Sequence, residues 1–283
     1  MPDSRIPALF CGLLLLGAAA HGANLKERFD KSFPLRPGAQ VRLMNVNGSV
    51  TFEAWDRNEV RVEAEKQVRA GDSGTARKIM DQIRIEVTPD SSGLRVDTRM
   101  PKRSESGGGF LDGLLGNDVS YGVTYTVHVP RQAAVDIENS NGGIELTGTQ
   151  GAAHVRTSNG GITLREVRGD MELKSSNGSL KVVHSAGGLT ARTSNGAIQA
   201  ELTDLPRDAD LTLETTNGGV TLKLPRDARL SIDAKTSNGG VSTDFTLDGG
   251  EKPNRHSLVG DVNGGGSRLS IRTSNGGIHI GSL

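Results

Sequence analysis

Five carboxylates, Asp136, Glu138, Glu172, Glu214 and Asp233, fall on outward positions of a frame that recurs along the chain. Acid–base chemistry on a polysaccharide would need two or more such groups gathered on adjacent elements. Here they alternate with His154, Arg156, Lys174, Arg192 and Lys235, which reads as a solvated, mixed-charge face. His128, His154, His184, His256 and His279 show no metal-ligand spacing. The glycine-containing repeats are followed by Ile, Val or Leu rather than the Asp of calcium-binding repeats. No phosphate loop or activated nucleophile motif occurs. The expectation is therefore a protein that is not an enzyme and has no catalytic residue, metal or cofactor site.

What the side chains do offer is charge and apolar surface. Arg156, Lys174 and Arg192 occupy one outward position in three successive copies of the frame, with Arg165 and Lys181 on the neighbouring strand. Stacked, the three would form a basic ridge roughly 10 Å long. Such a ridge could hold an anionic envelope polysaccharide or a lipid headgroup through charge. The same cations also suit a solvated edge that keeps strands from mispairing, and that reading weighs more. A second candidate is the loop from Arg103 to Ser120, where Gly107, Gly108 and Gly109 precede Phe110, Leu111, Leu114 and Leu115. These apolar residues suit a docking site for an envelope protein, or equally one helical turn packed on the body of the fold.

The frame that positions all of these is built on Asn-Gly. It recurs at Asn47, Asn141, Asn159, Asn177, Asn195, Asn217, Asn238 and Asn275, and four of these stand 18 residues apart. Six and four residues before each Asn lie apolar residues, for example Val135 and Ile137, or Met171 and Leu173. Two before it comes a small polar residue: Asn45, Asn139, Thr157, Ser175, Thr193, Thr215, Thr236 or Thr273. Three and five after it the apolar alternation resumes, as in Ile162 and Leu164. Period-two alternation on both sides of a turn means two short strands, each with one buried face. The Gly is expected to supply a positive φ for the reversal.

A fixed period marks a repeat architecture. An antiparallel meander of Asn-Gly hairpins would fit locally. It would leave an apolar face uncovered, because no helical pattern follows residue 130. Stacked two-strand coils solve this by facing their strands across a narrow core. Coils about 4.8 Å apart would align the asparagines into a side-chain ladder at one corner. The opposite corner carries Val129-Pro130-Arg131, Leu205-Pro206-Arg207 and Leu224-Pro225-Arg226, and it absorbs the insertions.

Residues 1–23 read as an export signal: Arg5, an apolar stretch from Ile6 to Ala20, then small residues. The single cysteine, Cys11, lies within it, so no disulfide framework is expected. Lys plus Arg equal Asp plus Glu at 33 each, and aromatic residues make up 3%, which argues against a nucleic-acid binder. Residues 24–283 are expected to form one domain, with an insertion over 53–130 and regular repeats over 131–283. Within the insertion, Ser73 to Gln82 places Ala76, Ile79, Met80 and Ile83 on one helical stripe.

Asn47-Gly48-Ser49-Val50 running into Trp55-Asp56-Arg57-Asn58, then Tyr125 to Pro130, the Ser-Asn-Gly-Gly-Ile repeats and Gly260 to Gly266 carry a family resemblance. The chain resembles the putative-adhesin (toastrack) family of bacterial β-strand-repeat proteins, a family of unknown function. The resemblance implies a β-helix-like solenoid outside the cytoplasm, with links to surface attachment and envelope stress, and no catalytic residues. The expected fold is thus all-β, a solenoid of stacked two-strand coils with one short helix. The expected function is adhesin-like binding or scaffolding in the periplasm, at the cell surface or after secretion. A polysaccharide-active enzyme and an ice-binding protein are the alternatives; the inward parity of the Thr column puts ice binding last. Because Leu283 follows directly on the strand Ile278–Ile280, a bare final coil is also expected, open to self-association.

Overall fold

The computed structural model describes residues 23–89, 92–101, 119–250 and 254–283. In chain order its first elements are β1 (Ala23–Pro34), β2 (Gln40–Met44), β3 (Val50–Trp55), β4 (Glu59–Ala70), α1 (Ser73–Met80), β5 (Arg84–Pro89), β6 (Gly93–Arg99) and β7 (Ser120–Pro130). The repeats continue as β8 (Ala134–Asn141), β9 (Ile144–Thr147), β10 (Ala153–Asn159), β11 (Ile162–Arg165), β12 (Met171–Asn177), β13 (Leu180–Ala186), β14 (Leu189–Asn195) and β15 (Ile198–Asp204). They close with β16 (Asp210–Asn217), β17 (Val220–Leu224), β18 (Leu230–Asn238), β19 (Val241–Thr243), β20 (Gly249–Gly250), β21 (Ser257–Val262), β22 (Ser267–Asn275) and β23 (Ile278–Ser282).

The strands form two sheets, one of 11 strands and one of 12. Each Asn-Gly corner carries the chain from the second sheet to the first, so the two strands of a frame face each other rather than pair. Pairing runs between frames, parallel and in register: Asn141 lies beside Asn159, Asn177, Asn195 and Asn217 in turn. The fold is an all-β solenoid of stacked two-strand coils, and the antiparallel meander is excluded. Between the sheets runs an apolar core of columns. Val135, Ala153, Met171, Leu189 and Leu211 make one, and Ile144, Ile162, Leu180, Ile198 and Val220 face it from the other sheet. Burying one such aliphatic side chain contributes about 1.5–3 kcal/mol.

Spatial order departs from chain order at both ends. Strands β6 and β7 stack outside β2 and β3, so the first frame in sequence is the second in space. At the far end β22 inserts between β16 and β18, and β23 between β17 and β19. The expected bare C-terminal coil is therefore corrected: β23 has a partner on each side. The cause is the segment after β19. It returns as β21, antiparallel to β18, then passes over the start of β18 through Asn263, Gly264 and Gly265, all at positive φ. Asn263 donates to the carbonyls of Arg226 and Ala228 at 3.1 and 2.8 Å, which holds that crossing in place. Strand β22 then runs along the opposite side of β18.

The near end is closed by antiparallel strands and the one helix. β5 pairs with β6, and β7, β4 and β1 follow one another to the sheet edge. Helix α1 starts at Asp72, whose carboxylate accepts from the Thr75 backbone N–H at 2.9 Å. It buries Ala76, Ile79 and Met80 over the end of the core. Tyr125 is fully buried there and shares a 2.7 Å hydroxyl hydrogen bond with Thr98. Burial pushes its hydroxyl up to about 12 despite that bond. At the opposite corner, Pro130, Pro206 and Pro225 open tight turns whose carbonyls accept from Ala133, Ala209 and Ala228.

The glycine after each Asn is needed for a different reason than expected. Among the eight, only Gly48 and Gly142 have φ in the left-handed region. A Cβ on Gly178 would sit 2.0 Å from the carbonyl oxygen of Gly160, and one on Gly160 would sit 2.2 Å from that of Gly142. The coils touch through their backbones at this corner. The next glycine is freer: a Cβ on Gly143 would meet its nearest atom at 3.7 Å. Gly178→Ala is expected to cost on the order of 2–4 kcal/mol, and Gly143→Ala less than about 0.5 kcal/mol. Denaturant unfolding of the two variants measures the contrast, and equal losses would contradict the backbone-contact account.

Candidate functional site

The eight asparagines form one continuous ladder. In spatial order they run Asn47, Asn141, Asn159, Asn177, Asn195, Asn217, Asn275 and Asn238, and each side-chain amide donates to the carbonyl oxygen of the one before at 2.7–3.0 Å. A buried second ladder runs beside it. Ser175, Thr193, Thr215, Thr273 and Thr236 donate their hydroxyls to the glycine carbonyl of the preceding coil at 2.9–3.0 Å, and Thr157 does so at 3.3 Å. Asn139 fills the same place with its amide, at 2.9 Å from the Gly48 carbonyl. The small polar residue two before each Asn thus satisfies a carbonyl that the close backbone contact would otherwise bury unpaired.

Outside these ladders lies a long shallow groove on the second sheet. Its floor is a row of hydroxyls, Ser140, Ser158, Ser176, Ser194, Thr216, Ser274 and Ser237. Its wall is the charged row two residues earlier, which includes Arg156, Lys174, Arg192, Glu214, Arg272 and Lys235. The lining spans the coils from β6 to β18, about 35–40 Å at the usual strand spacing. The structure brings Arg156, Lys174 and Arg192 side by side on β10, β12 and β14.

The three cations are not equivalent. Arg156 donates to Glu172 at 2.9 Å, and Arg192 to Glu214 at 2.8 Å. Among the described residues Lys174 has no ion pair. Farther along the row, Arg272 and Lys235 both bind Asp233, Lys235 at 3.2 Å. Arg272 and Lys235 continue the basic wall next to Glu214, and the sequence reading left Arg272 out. The frame offset from Asn275 could have found it; its place beside Lys235 depends on the exchanged coil order. Between β10 and β18, Arg156, Lys174, Arg192, Arg272 and Lys235 outnumber Glu172, Glu214 and Asp233 by two, whereas the β6–β8 end of the groove is lined by Asp97 and Glu138. Arg165 and Lys181 lie on β11 and β13, in the other sheet.

The carboxylates are spread out and paired. Glu172 is held below its ordinary 4.5 by the Arg156 hydrogen bond; burial opposes this, and His154 adds to it. Burial pushes Asp233 up, but hydrogen bonds from Arg272 and Lys235 outweigh it and leave the carboxyl below the usual range. A general acid for glycoside cleavage needs the opposite shift. Among the described residues no group of three His, Cys, Asp or Glu could hold a metal ion. His128 stacks on Trp55 with ring centroids 5.0 Å apart, and His184 lies 2.8 Å from Glu201. Phe110, Leu111, Leu114 and Leu115, with the rest of that loop from 102 to 118, lie outside the described residues, as do residues 1–22 of the segment expected to be an export signal.

A parallel solenoid with an Asn ladder at one corner and a polar groove beside it defines a repeat protein that presents one long surface. Residues 166–281 match the family model described as Toastrack DUF4097. No protein of curated function matches the chain. Among solved structures, a putative cell adhesion protein from Clostridium sporogenes is similar with a TM-score of 0.40 and 13% identity, covering 91% of this chain and 100% of that one. A putative adhesin from Bacteroides fragilis has a TM-score of 0.32 and 9% identity, covering 91% of this chain and 97% of that one.

Two predictions test the geometry. Asn177→Ala removes hydrogen bonds to both Asn159 and Asn195 and should cost about 1–2 kcal/mol. Asn177→Asp should cost more at neutral pH, because its carboxylate would face the Asn159 oxygen, and should recover as acid protonates it. Chemical denaturation at two pH values reads both variants. The Glu172 pair has the opposite dependence. Its folded pKa is lowered, so its stabilisation is present above the ordinary carboxylate range and fades as pH falls through the lowered value. Glu172→Gln should therefore flatten that part of the acid-induced fall in melting temperature.

Proposed function

We propose that this protein is a non-enzymatic, exported β-solenoid that binds an acidic polysaccharide of the cell envelope along the groove beside the Asn ladder. The observation that carries the reading is Lys174, a cation with no ion pair among the described residues, on a wall that carries excess positive charge between β10 and β18, above a row of hydroxyls. Charge attracts an anionic polymer, and hydroxyls repeating at the coil spacing offer hydrogen bonds to an extended chain. The ion pairs on either side fix Arg156 and Arg192 without closing the groove. A ligand bound this way is held weakly at each coil and firmly over several, as suits an adhesin-like or scaffold role.

Export is supported by the leading segment, with its charged start, apolar stretch and small residues. Among the described residues no helix is long and apolar enough to cross a membrane. The dispersal of the carboxylates along the sheet, and the cations that hold Glu172 and Asp233 in the ionised form, favour binding over hydrolysis. Links to envelope stress rest on the family resemblance alone.

The test is retention on an immobilised polyuronate. The chain should bind at low salt and elute as ionic strength rises. Arg156→Ser, Lys174→Ser and Arg192→Ser combined should elute at markedly lower salt, because the change also leaves Glu172 and Glu214 unneutralised. Lys174→Ser alone should show part of that effect. Unchanged elution of the triple variant, or release of new reducing ends from the polymer, would sink the reading.

A further inference from the structure

We infer that two copies of this chain associate through strand β1, which joins the first sheets of both into one. Strand β1 is 12 residues long and, among the described residues, forms the outer edge of its sheet with β4 as its sole partner. Leu35, just past its end, donates to Asn58, the residue opposite in the β1–β4 register, at 3.0 Å. In an antiparallel pair such residues alternate, so odd-numbered positions of β1 bond to β4. The backbone groups of Asn24, Lys26, Arg28, Asp30 and Ser32 then point to the open edge. An edge of this length is a template for another strand unless its side chains forbid it.

The side chains of β1 select a second copy. A two-fold antiparallel pair of identical strands places one residue opposite itself. From Lys26 to Lys31 the sequence is Lys-Glu-Arg-Phe-Asp-Lys, and Phe29 is its one uncharged residue. Centring on any other residue of this stretch sets like charges face to face. Centring on Phe29 sets Arg28 opposite Asp30 and Glu27 opposite Lys31, each twice, with Leu25 opposite Phe33 on the same face as Phe29. Opposite charges across strands stabilise pairing and like charges oppose it.

Within one copy Asp30 is already held by Arg61 at 2.7 and 2.9 Å and Glu27 by Lys66 at 3.1 Å, so the available groups are the cations Arg28 and Lys31, which would join those existing pairs. The Arg28 side chain is 87% exposed, with its nearest carboxylate, Glu65, at 3.9 Å. The Lys31 ammonium rests over the Phe29 ring at 5.3 Å and has no ion pair among the described residues. Leu25, Phe29 and Phe33 pack only partly against the core, so a second strand would cover their remaining apolar surface. Pro34, which has no N–H, falls at the outward-facing parity and ends the ladder there.

The experiment is sedimentation of the full chain over a concentration series, with a cross-linking arm. The chain should show a concentration-dependent dimer. Arg28→Asp with Lys31→Glu places like charges at four contacts and should raise the dimer dissociation constant roughly tenfold or more. Circular dichroism checks that this variant folds. In a Cys11→Ser background, Phe29→Cys should form a disulfide-linked dimer on oxidation, because its Cα would lie about 4.5 Å from its symmetry mate. Leu25→Cys should not, since its opposite residue is Phe33. A monomer at all concentrations overturns the proposal. So does a dimer that ignores the charge reversal, or one that Leu25→Cys links as readily as Phe29→Cys.

Discussion

The structure depends on backbone-to-backbone contact between coils at the Asn-Gly corner. There the carbonyl of each corner glycine lies where a side chain on the next coil's glycine would be, so no residue with a Cβ fits. That closeness would leave carbonyls buried and crowded. The Ser, Thr or Asn two residues before each ladder Asn answers with a hydrogen bond from the next coil. The exposed asparagines repeat the arrangement one layer out. Register follows from this corner: a slip of one residue would turn every apolar column outward and break both ladders at once.

The rigid corner also determines what the surface can be. Because the coils stack in register, every outward position of the frame becomes a straight row. Hydroxyls line up into a floor and charges into a wall without any loop to build a pocket. Ion pairs then bridge neighbouring coils, as between Arg156 and Glu172 or Arg192 and Glu214. A surface made this way is long, shallow and repetitive. It suits an extended partner better than a small molecule, for which pockets are concave and enclosing.

Much of this was legible in the residues. Period-two alternation around Asn-Gly specified two strands per frame, the parity of Met171 and Leu173 specified the core, and the Ser73–Gln82 stripe specified α1. The asparagine column followed from the 18-residue spacing. The spatial order of the frames was not legible, because Asn238 and Asn275 carry the same local pattern and either could be outermost. The long link between them, with β20 and β21, decides the matter through tertiary pairing. The role of the corner glycine was misread for a related reason: a φ argument is local, whereas the constraint comes from the neighbouring coil. The neutralisation of Arg156 by Glu172 was also hidden, since the two are 16 residues apart and belong to different frames.

The exchange of coil order at both ends affects how the column can grow or come apart. Strand β23 is gripped from both sides, so the tail cannot peel away without breaking its ladders to both β17 and β19. A gap of one coil has to stand open, bridged by the β20–β21 segment, until the last residues arrive to fill it. Added repeats would find no free slot after the final frame; they fit only in the uniform middle, between β8 and β17. The molecule is in this respect less like a spring with loose ends than like a zip closed by its own last tooth.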